Sequence, residues 1–315
     1  MENRDRTRVL YVAGFGRSGS TLLGNVLGRV EGLVSVGELR SVWEYGLLLD
    51  KACGCGAPFN ECEMWRPVMD EAFGGKVNPR RMIQLRESWA RTKHIPLMLT
   101  PPGRRLVERR LAEYLDALGR LYRAVQNVTG CRVIVDTSKF PSYGFVLGMV
   151  PSVDLRVLHL VRDPRAVAYS WLRKRLHPDP ESPEYMPLRG PAASSLRWVA
   201  RNLATEALWR RSPKGYLLLR YEDFVATPQK SIGRVLDLVG EEAAPRPHVT
   251  EHEVELGVNH NVWGNPDRFR TGTVEIRPDT EWISHIQPDD RRLITALAFP
   301  LLLRYGYPLV TDGRQ

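Results

Sequence analysis

The stretch 9-VLYVAGFGRSGSTLLGNVL-27 decides how this chain is read. It opens as an apolar run, breaks into a loop of glycine and serine, and resumes as a helix. The loop, Gly14-Phe15-Gly16-Arg17-Ser18-Gly19-Ser20-Thr21, meets every fixed position of the phosphate-binding template G-x-x-x-x-G-K-[ST] except one. Ser20 stands where the template has lysine. In a kinase or ATPase that lysine reaches the β- and γ-phosphates, and the Ser/Thr holds Mg²⁺. Without the ammonium a triphosphate is poorly neutralised, but the loop amides and the helix N-terminus remain a strong anion site. Arg17 adds a charge and a fork of donors. The expectation is a nucleotide with less charge on its 5′ side, bound without metal.

Working outward, residues 8–13 have the profile of a strand buried on both faces, and 20–28 that of the helix behind the loop. Three similar runs follow, 132-RVIVD-136, 155-LRVLHLV-161 and 216-YLLLRY-221. Each leads through turn residues into a helix-like segment: 140–150, 164–175 and 228–239. Strands alternating with helices predict an α/β fold, a central parallel sheet flanked by helices, with ligands at the carboxyl ends of the strands. A long helical stretch is expected over 78–127 and an amphipathic helix over 192–211. The polar, Pro-rich 177-HPDPESPEYMPLRGP-191 reads as a mobile loop near a substrate entrance. With no repeat and no linker, the expectation is one domain, 1–315, with a helical insertion at about 41–127 and a loop and helix at 177–211 on the acceptor side.

At this point the residues resemble a known family. The loop Gly14 to Thr21, continued by Leu22-Leu23, is similar to the 5′-phosphosulfate loop of sulfotransferases that use 3′-phosphoadenosine 5′-phosphosulfate (PAPS). The second element, 157-VLHLVRDPRAVAYS-170, is similar to that family's 3′-phosphate motif. The likeness extends through 220-RYEDF-224 and 264-GNPDRFR-270, and is to bacterial-type members and to carbohydrate and tyrosylprotein sulfotransferases. It implies a P-loop-like sulfotransferase fold and a donor site of Gly16, Arg17, Ser18, Gly19, Ser20 and Thr21, with Arg162 and Ser170 on the 3′-phosphate. Just past its strand, Tyr221 is implied by the resemblance to pack on adenine, with packing in the core as the alternative. The segment 259-NHNVWGNPDRFR-270 stands where cytosolic members have an Arg-Lys-Gly segment, which makes Asn265 and Arg268 the expected contacts there.

Sulfuryl transfer to a hydroxyl also needs a base for the acceptor proton and a cation for the leaving phosphate. Glu38, in 35-SVGELR-40, is the candidate base, in a Gly-Glu context comparable to relatives acting on tyrosines and sugars. It could instead cap a helix beginning near Leu39 or pair with Arg40, and Glu44 is a rival carboxylate. Lys139, just past a strand end in 134-IVDTSKF-140, is the candidate cation beside Arg17; the resemblance implies that it touches the donor's bridging oxygen. Asp136 and Ser138 would shape that turn. The expected activity is transfer from PAPS to a hydroxyl of a small molecule or carbohydrate, with no metal required. Alternatives are a tyrosylprotein or peptide O-sulfotransferase, a P-loop kinase using Asp136 as a Walker B-like carboxylate, and a basic polyanion binder.

Composition bounds these readings. The chain has 315 residues, a formal net charge of +9 and a pI near 9.6, which suits an acidic ligand. The basic residues are scattered, without the aromatic–basic alternation that reads single strands, so no nucleic-acid partner is expected. Only 7 of the 45 basic residues are lysines, which makes a lysine at a strand terminus stand out. The charged 1-MENRDRTR and apolar runs as short as 297-LAFPLLL-303 lead us to expect no signal, no membrane span and a cytoplasmic location. Cys53, Cys55 and Cys62 lie in 53-CGCGAPFNEC-62, with Cys131 apart. Their spacing is not the paired C-x₂₋₄-C of zinc sites, and the next candidate ligand, His94, is distant. A disulfide between Cys62 and Cys53 or Cys55 is an alternative that a reducing cytosol argues against, and the expectation is a Gly-rich loop with buried thiols and no metal.

Overall fold

The structure is a computed structural model describing residues 6–176, 185–212, 215–247 and 250–310. Most of the loop expected to be mobile, residues 177–184, lies outside the described residues.

The chain begins with β1 (Thr7–Gly14), α1 (Ser20–Leu27) and β2 (Leu33–Gly37). A 3-10 turn, Leu39–Ser41, runs into a wide π-helical turn, Val42–Leu48. The insertion follows as α2 (Trp65–Phe73), α3 (Pro79–Trp89), α4 (Ile95–Met98), α5 (Pro101–Arg110) and α6 (Ala112–Thr129). The sheet resumes with β3 (Val133–Lys139), α7 (Pro141–Leu147), β4 (Val153–Val161) and α8 (Pro164–Leu172). After α9 (Pro191–Trp209) come β5 (Tyr216–Arg220), α10 (Tyr221–Ala226) and α11 (Pro228–Val239). An antiparallel pair, β6 (Glu253–Leu256) and β7 (Gly272–Glu275), precedes α12 (Glu281–His285) and α13 (Pro288–Arg304).

Five strands form one parallel sheet in the order β2-β3-β1-β4-β5, the α/β architecture the alternating pattern predicts. Residues Val9 to Ala13 have no exposed surface, because side chains alternate between two covered faces. Val9, Tyr11 and Ala13 face the insertion and α7, together with Trp65, Leu118 and Val146. Leu10 and Val12 face α1 and α11, together with Leu23, Leu27 and Leu236. The central strand is thereby fixed from both sides, and its carboxyl end holds the glycine loop in place.

The helical stretch expected over 78–127 is not continuous. It stops after Trp89, restarts at Ile95 with Pro96 in the first turn of α4, stops after Met98, restarts at Pro101, and is interrupted once more at Leu111. Proline suits a first turn, where its missing amide hydrogen leaves no bond unmade. Two of the helices start on side-chain caps: Asn78 accepts from the Arg81 amide before α3, and Thr100 from the Gly103 amide before α5. β2, the β6–β7 pair and α13 were not legible as elements. Among the described residues no helix is long and apolar enough to cross a membrane.

Candidate active site

Each of the five parallel strands ends in a residue that lines one cavity of about 940 Å³. Phe15 and the glycine loop follow β1, and Glu38 follows β2. Lys139 is the last residue of β3, Arg162 follows β4, and Tyr221 follows β5. Gathering at the carboxyl edge is what parallel topology does to ligand sites.

The glycine loop needs a left-handed turn to enter α1. Gly19 has φ +86, and a Cβ there would meet the Tyr221 ring at 2.4 Å, so both backbone and space demand glycine. Gly19, Ser20 and Thr21 line the cavity at the start of α1, where amide hydrogens have no helical partner. No acidic residue occupies the first turn of α1. Gly16 and Arg17 also line the cavity, whereas Ser18 is buried and absent from the lining. Arg17 (φ +72) lies over the Trp171 ring at 4.9 Å and donates to the Met186 sulfur. Burial, reinforced by Arg175, pulls its guanidinium down to about 10. Among the described residues it forms no ion pair within 4.0 Å, with Glu38 and Asp267 acting on it only from farther off, and a desolvated cation so placed favours an incoming anion.

Lys139 owes its direction to a bulge. Tyr11 pairs with Asp136 and Ala13 with Lys139, so β3 carries one extra residue against β1, and Lys139 takes φ +68. Asp136 anchors the bulge: it accepts from the Ser138 amide at 2.8 Å and from the Ser138 and Tyr122 hydroxyls. Burial lifts its pKa to about 6 despite those bonds. It has no exposed surface and does not line the cavity, so it shapes the turn and presents no carboxylate to a metal–nucleotide complex.

The re-aimed Lys139 Nζ donates to Glu38 Oε1 at 2.5 Å and to the Thr137 carbonyl at 2.9 Å. Glu38 stands at the N-terminus of the 3-10 turn without a side-chain capping bond, and Arg40 pairs with Glu87 instead. The rival Glu44 is also committed elsewhere, 3.7 Å from Arg86 and outside the lining. Lysine and glutamate therefore form a partly exposed acid–base pair on the cavity floor.

Across the floor, Arg162 donates to the Arg17 carbonyl at 3.1 Å and to Asp279 Oδ2 at 2.6 Å, and its guanidinium covers the Tyr221 ring at 4.5 Å. Pro164 starts α8 and Asp163 caps it, which fixes the strand–turn–helix geometry around Arg162. Ser170, on α8, lines the same side. Asn265 lines the cavity and accepts from the Asp267 amide. Arg268, expected beside it, is turned inward: it is 1% exposed, donates to the Gly264 and Ala52 carbonyls, and does not line the cavity. Arg270 and Arg277 supply cations there instead.

The roof differs from expectation too. No residue of 41–127 lines the cavity, because the insertion packs its apolar face on the sheet, around Trp43, Trp65 and Tyr114. The lining comes from α8 and α9 and from 256–281, and includes Trp171, Arg197, Arg201 and Trp263. Arg201 lies between Phe140 (3.9 Å) and Phe15 (5.4 Å), and burial brings it down to about 10. The helical period of 192–211 was visible in sequence, but which of its arginines face inward depends on how α9 docks. Among the described residues, nine Arg or Lys meet five carboxylates in the lining, a balance that attracts anions.

Residues 10–245 match the model of the sulfotransferase family. A segment of 124 residues is 31% identical to carbohydrate sulfotransferase 2 of Mus musculus, and equally to that of Homo sapiens. The match takes in 29% of this chain and spans 23% of the length of those curated relatives. In fold the chain is similar to the sulfotransferase domain from the curacin biosynthetic pathway, with a TM-score of 0.56, 18% identity and coverage of 97% of this chain and 99% of that one. The sulfotransferase domain of the Synechococcus PCC 7002 olefin synthase follows, with a TM-score of 0.50, 20% identity and coverage of 95% and 97%.

Proposed function

The chain belongs to the sulfotransferase family, and from that premise we propose that it moves a sulfuryl group from PAPS to a hydroxyl of a small molecule or carbohydrate. The observation that carries the reading is the Lys139–Glu38 pair, at 2.5 Å, on a floor that also carries the glycine loop and Arg162 with Ser170. The free amides of α1 offer one set of anion contacts and Arg162 with Ser170 another, adjoining where Arg162 donates to the Arg17 carbonyl at 3.1 Å. A donor with a phosphosulfate at its 5′ side and a phosphate at its 3′ position has two such groups to place. Tyr221, Asn265 and Trp263 border the space between loop and roof, where the adenosine would lie.

In this reading the acceptor hydroxyl attacks sulfur in line with the leaving phosphate. The new bond is acceptor O–S; the bond broken joins sulfur to the bridging oxygen, which keeps the electron pair. Glu38 takes the hydroxyl proton, while Lys139 and Arg17 neutralise the charge on the departing adenosine 3′,5′-bisphosphate. Lys139 is held by Glu38 when the donor is absent and would swing its ammonium to the bridging oxygen, freeing the carboxylate. No step calls for a metal.

The acceptor class rests on two supports. The partial match to carbohydrate sulfotransferase 2 favours a sugar hydroxyl. Phe140, Trp171 and Trp263, interleaved with Arg197 and Arg201, suit a ring-bearing and preferably acidic acceptor. Phosphoryl transfer draws no support from the buried Asp136.

Calorimetric titration with adenosine 3′,5′-bisphosphate and with ATP·Mg²⁺, paired with transfer of labelled sulfate from PAPS, tests the reading. Saturable, metal-independent binding of the bisphosphate is expected. Tighter, metal-dependent binding of ATP would overturn it.

A further inference from the structure

Behind the cavity floor, the loop 53–62 meets the start of the segment 259–270. Cys53, Cys55, Cys62 and His260 place one ligand atom each within 4.8 Å of all the others. Cys62 Sγ lies 3.6 Å from Cys53 Sγ, 3.7 Å from Cys55 Sγ and 3.2 Å from His260 Nδ1, and Cys53 Sγ lies 3.9 Å from the same nitrogen. We propose that these four residues form a structural zinc site that fastens the donor-side loop to the sheet.

The geometry favours a shared ion over the other fates of three thiols. Zn–S bonds of about 2.3 Å at the tetrahedral angle put sulfurs about 3.8 Å apart, and a sulfur and a ring nitrogen about 3.5 Å apart. The two sulfur–sulfur distances fall within about 0.2 Å of the first value, and the two sulfur–nitrogen distances lie on either side of the second. A disulfide needs sulfurs at about 2.05 Å and would use only two of the three thiols. The glycines fit the same purpose: Gly56, at φ +91, turns the chain sharply between Cys55 and Cys62, and its amide donates to the Cys53 carbonyl at 2.8 Å. The backbone of the fourth ligand is fixed, since the His260 carbonyl accepts from Trp65 Nε1 at 2.7 Å, and its Nε2 lies 3.7 Å from the exposed Glu63 carboxylate, an ion-pair distance. Three thiolates and a neutral imidazole around a dication leave one negative charge. The Arg268 guanidinium, donating to the carbonyl of Ala52 next to Cys53, stands beside it.

Four protein ligands close the coordination sphere, and none of them lines the cavity, so the ion acts on structure and not on the reaction. Its mechanical role follows from what comes after His260. Asn261 bonds to Asn25 of α1 at 2.8 Å and to Ser35 of β2 at 2.9 Å. The Val262 amide donates to the Val36 carbonyl at 3.0 Å, and the Trp263 carbonyl accepts from the Glu38 amide at 3.2 Å. Residues 261–263 thus lie along the β2 edge, next to the glycine-loop helix and the candidate base. The proposal itself depends on no particular donor or acceptor.

The experiment is metal analysis of protein purified with reductant and reconstituted with zinc, followed by cobalt substitution. One equivalent of zinc per chain is expected, with a thiolate-to-cobalt charge-transfer band and tetrahedral d–d bands for the cobalt form. Both signals should be lost in Cys62→Ser and His260→Ala and kept in Cys131→Ser, whose thiol lies outside the cluster. If the ligand variants do not fold, the wild-type cobalt titration decides alone. Wild-type protein that takes up no stoichiometric metal, a Cys62→Ser variant that binds metal normally, or a mass two hydrogens low in protein isolated without reductant would each overturn the site.

Discussion

The floor of the cavity and the cysteine–histidine knot behind it are both built from residues far apart in sequence, but by different means. The floor takes one residue from the end of each parallel strand, so a single device, the sheet, aligns Gly16, Glu38, Lys139, Arg162 and Tyr221 at once. The knot depends on one meeting of two loops, with Cys62 and His260 198 positions apart in sequence. The floor should therefore lose function without losing its fold when a side chain is removed. The knot should lose order first and function only through it.

The sharpest way to test that division is at the floor. Glu38→Gln and Lys139→Ala are expected to lower kcat by about 10²–10³-fold, the scale of losing a general base or a transition-state charge partner. Melting temperature and affinity for adenosine 3′,5′-bisphosphate should change little. Near-wild-type turnover in Glu38→Gln would take that carboxylate out of the base role. Arg162→Ala should act the other way round, weakening the bisphosphate by about 10–100-fold, the worth of a charge-assisted contact, with a smaller effect on kcat.

The knot supplies the contrast. Stripping zinc from the wild type should lower its melting temperature and raise the Kd for the bisphosphate, while the kcat of protein saturated with donor falls much less. A kcat collapse with an unchanged melting temperature would break the comparison, because it would make the knot part of the chemistry. Asp279 offers a finer probe. Its carboxylate holds Arg162 at 2.6 Å and is 35% exposed, so a phosphate arriving there must displace it. Asp279→Asn should tighten bisphosphate binding by about fivefold, corresponding to about 1 kcal/mol for a partly exposed pair.

The smallest expected effect on turnover lies away from both regions and serves as a control. His159 is wholly buried between Asn202 and Tyr216, and burial pulls it from 6.5 down to about 4. The unfolded chain binds that proton more tightly, so the stability it contributes is fully present above about pH 6.5 and lost as pH falls towards 4, by up to about 3 kcal/mol. Urea denaturation of wild type and His159→Gln should show the difference between them shrinking with acid. Asp136, lifted to about 6, carries the opposite sign, losing its contribution as pH rises, so the variant difference is the readout and not either curve alone. Turnover at pH 7 should be unmoved by the histidine change.

Wherever a local pattern carried the information, the chain was readable. Buried strands announce themselves as short apolar runs, and a glycine loop after such a run predicts a left-handed turn and a helix start. Arg162-Asp163-Pro164 predicts a strand end and a capped helix, and all of these stand in the structure. Arg268 was misplaced because a side chain two residues along a turn can face either way, and its packing on Trp263 and Phe269 decides which. The insertion was taken to line the acceptor pocket because helical periodicity reports an apolar face without saying which neighbour covers it. Sequence proximity points to His94 as the histidine for the thiols, whereas the fold brings them His260 and stacks His94 on Trp89.

What the sequence by itself determined is the alternation of β1, β3, β4 and β5 with the helices behind them, their parallel pairing and the identity of most residues on the floor. Those follow from interactions within a few residues, namely periodicity, capping and turn chemistry, and from the rule that parallel strands share one edge. What only the tertiary structure decided is the aim of Lys139 through a one-residue bulge, the choice of Arg197 and Arg201 for the roof, and the arrival of His260 at three cysteines. Each of these is a contact between segments whose relative position is set by packing of the whole core, and no local pattern encodes that distance.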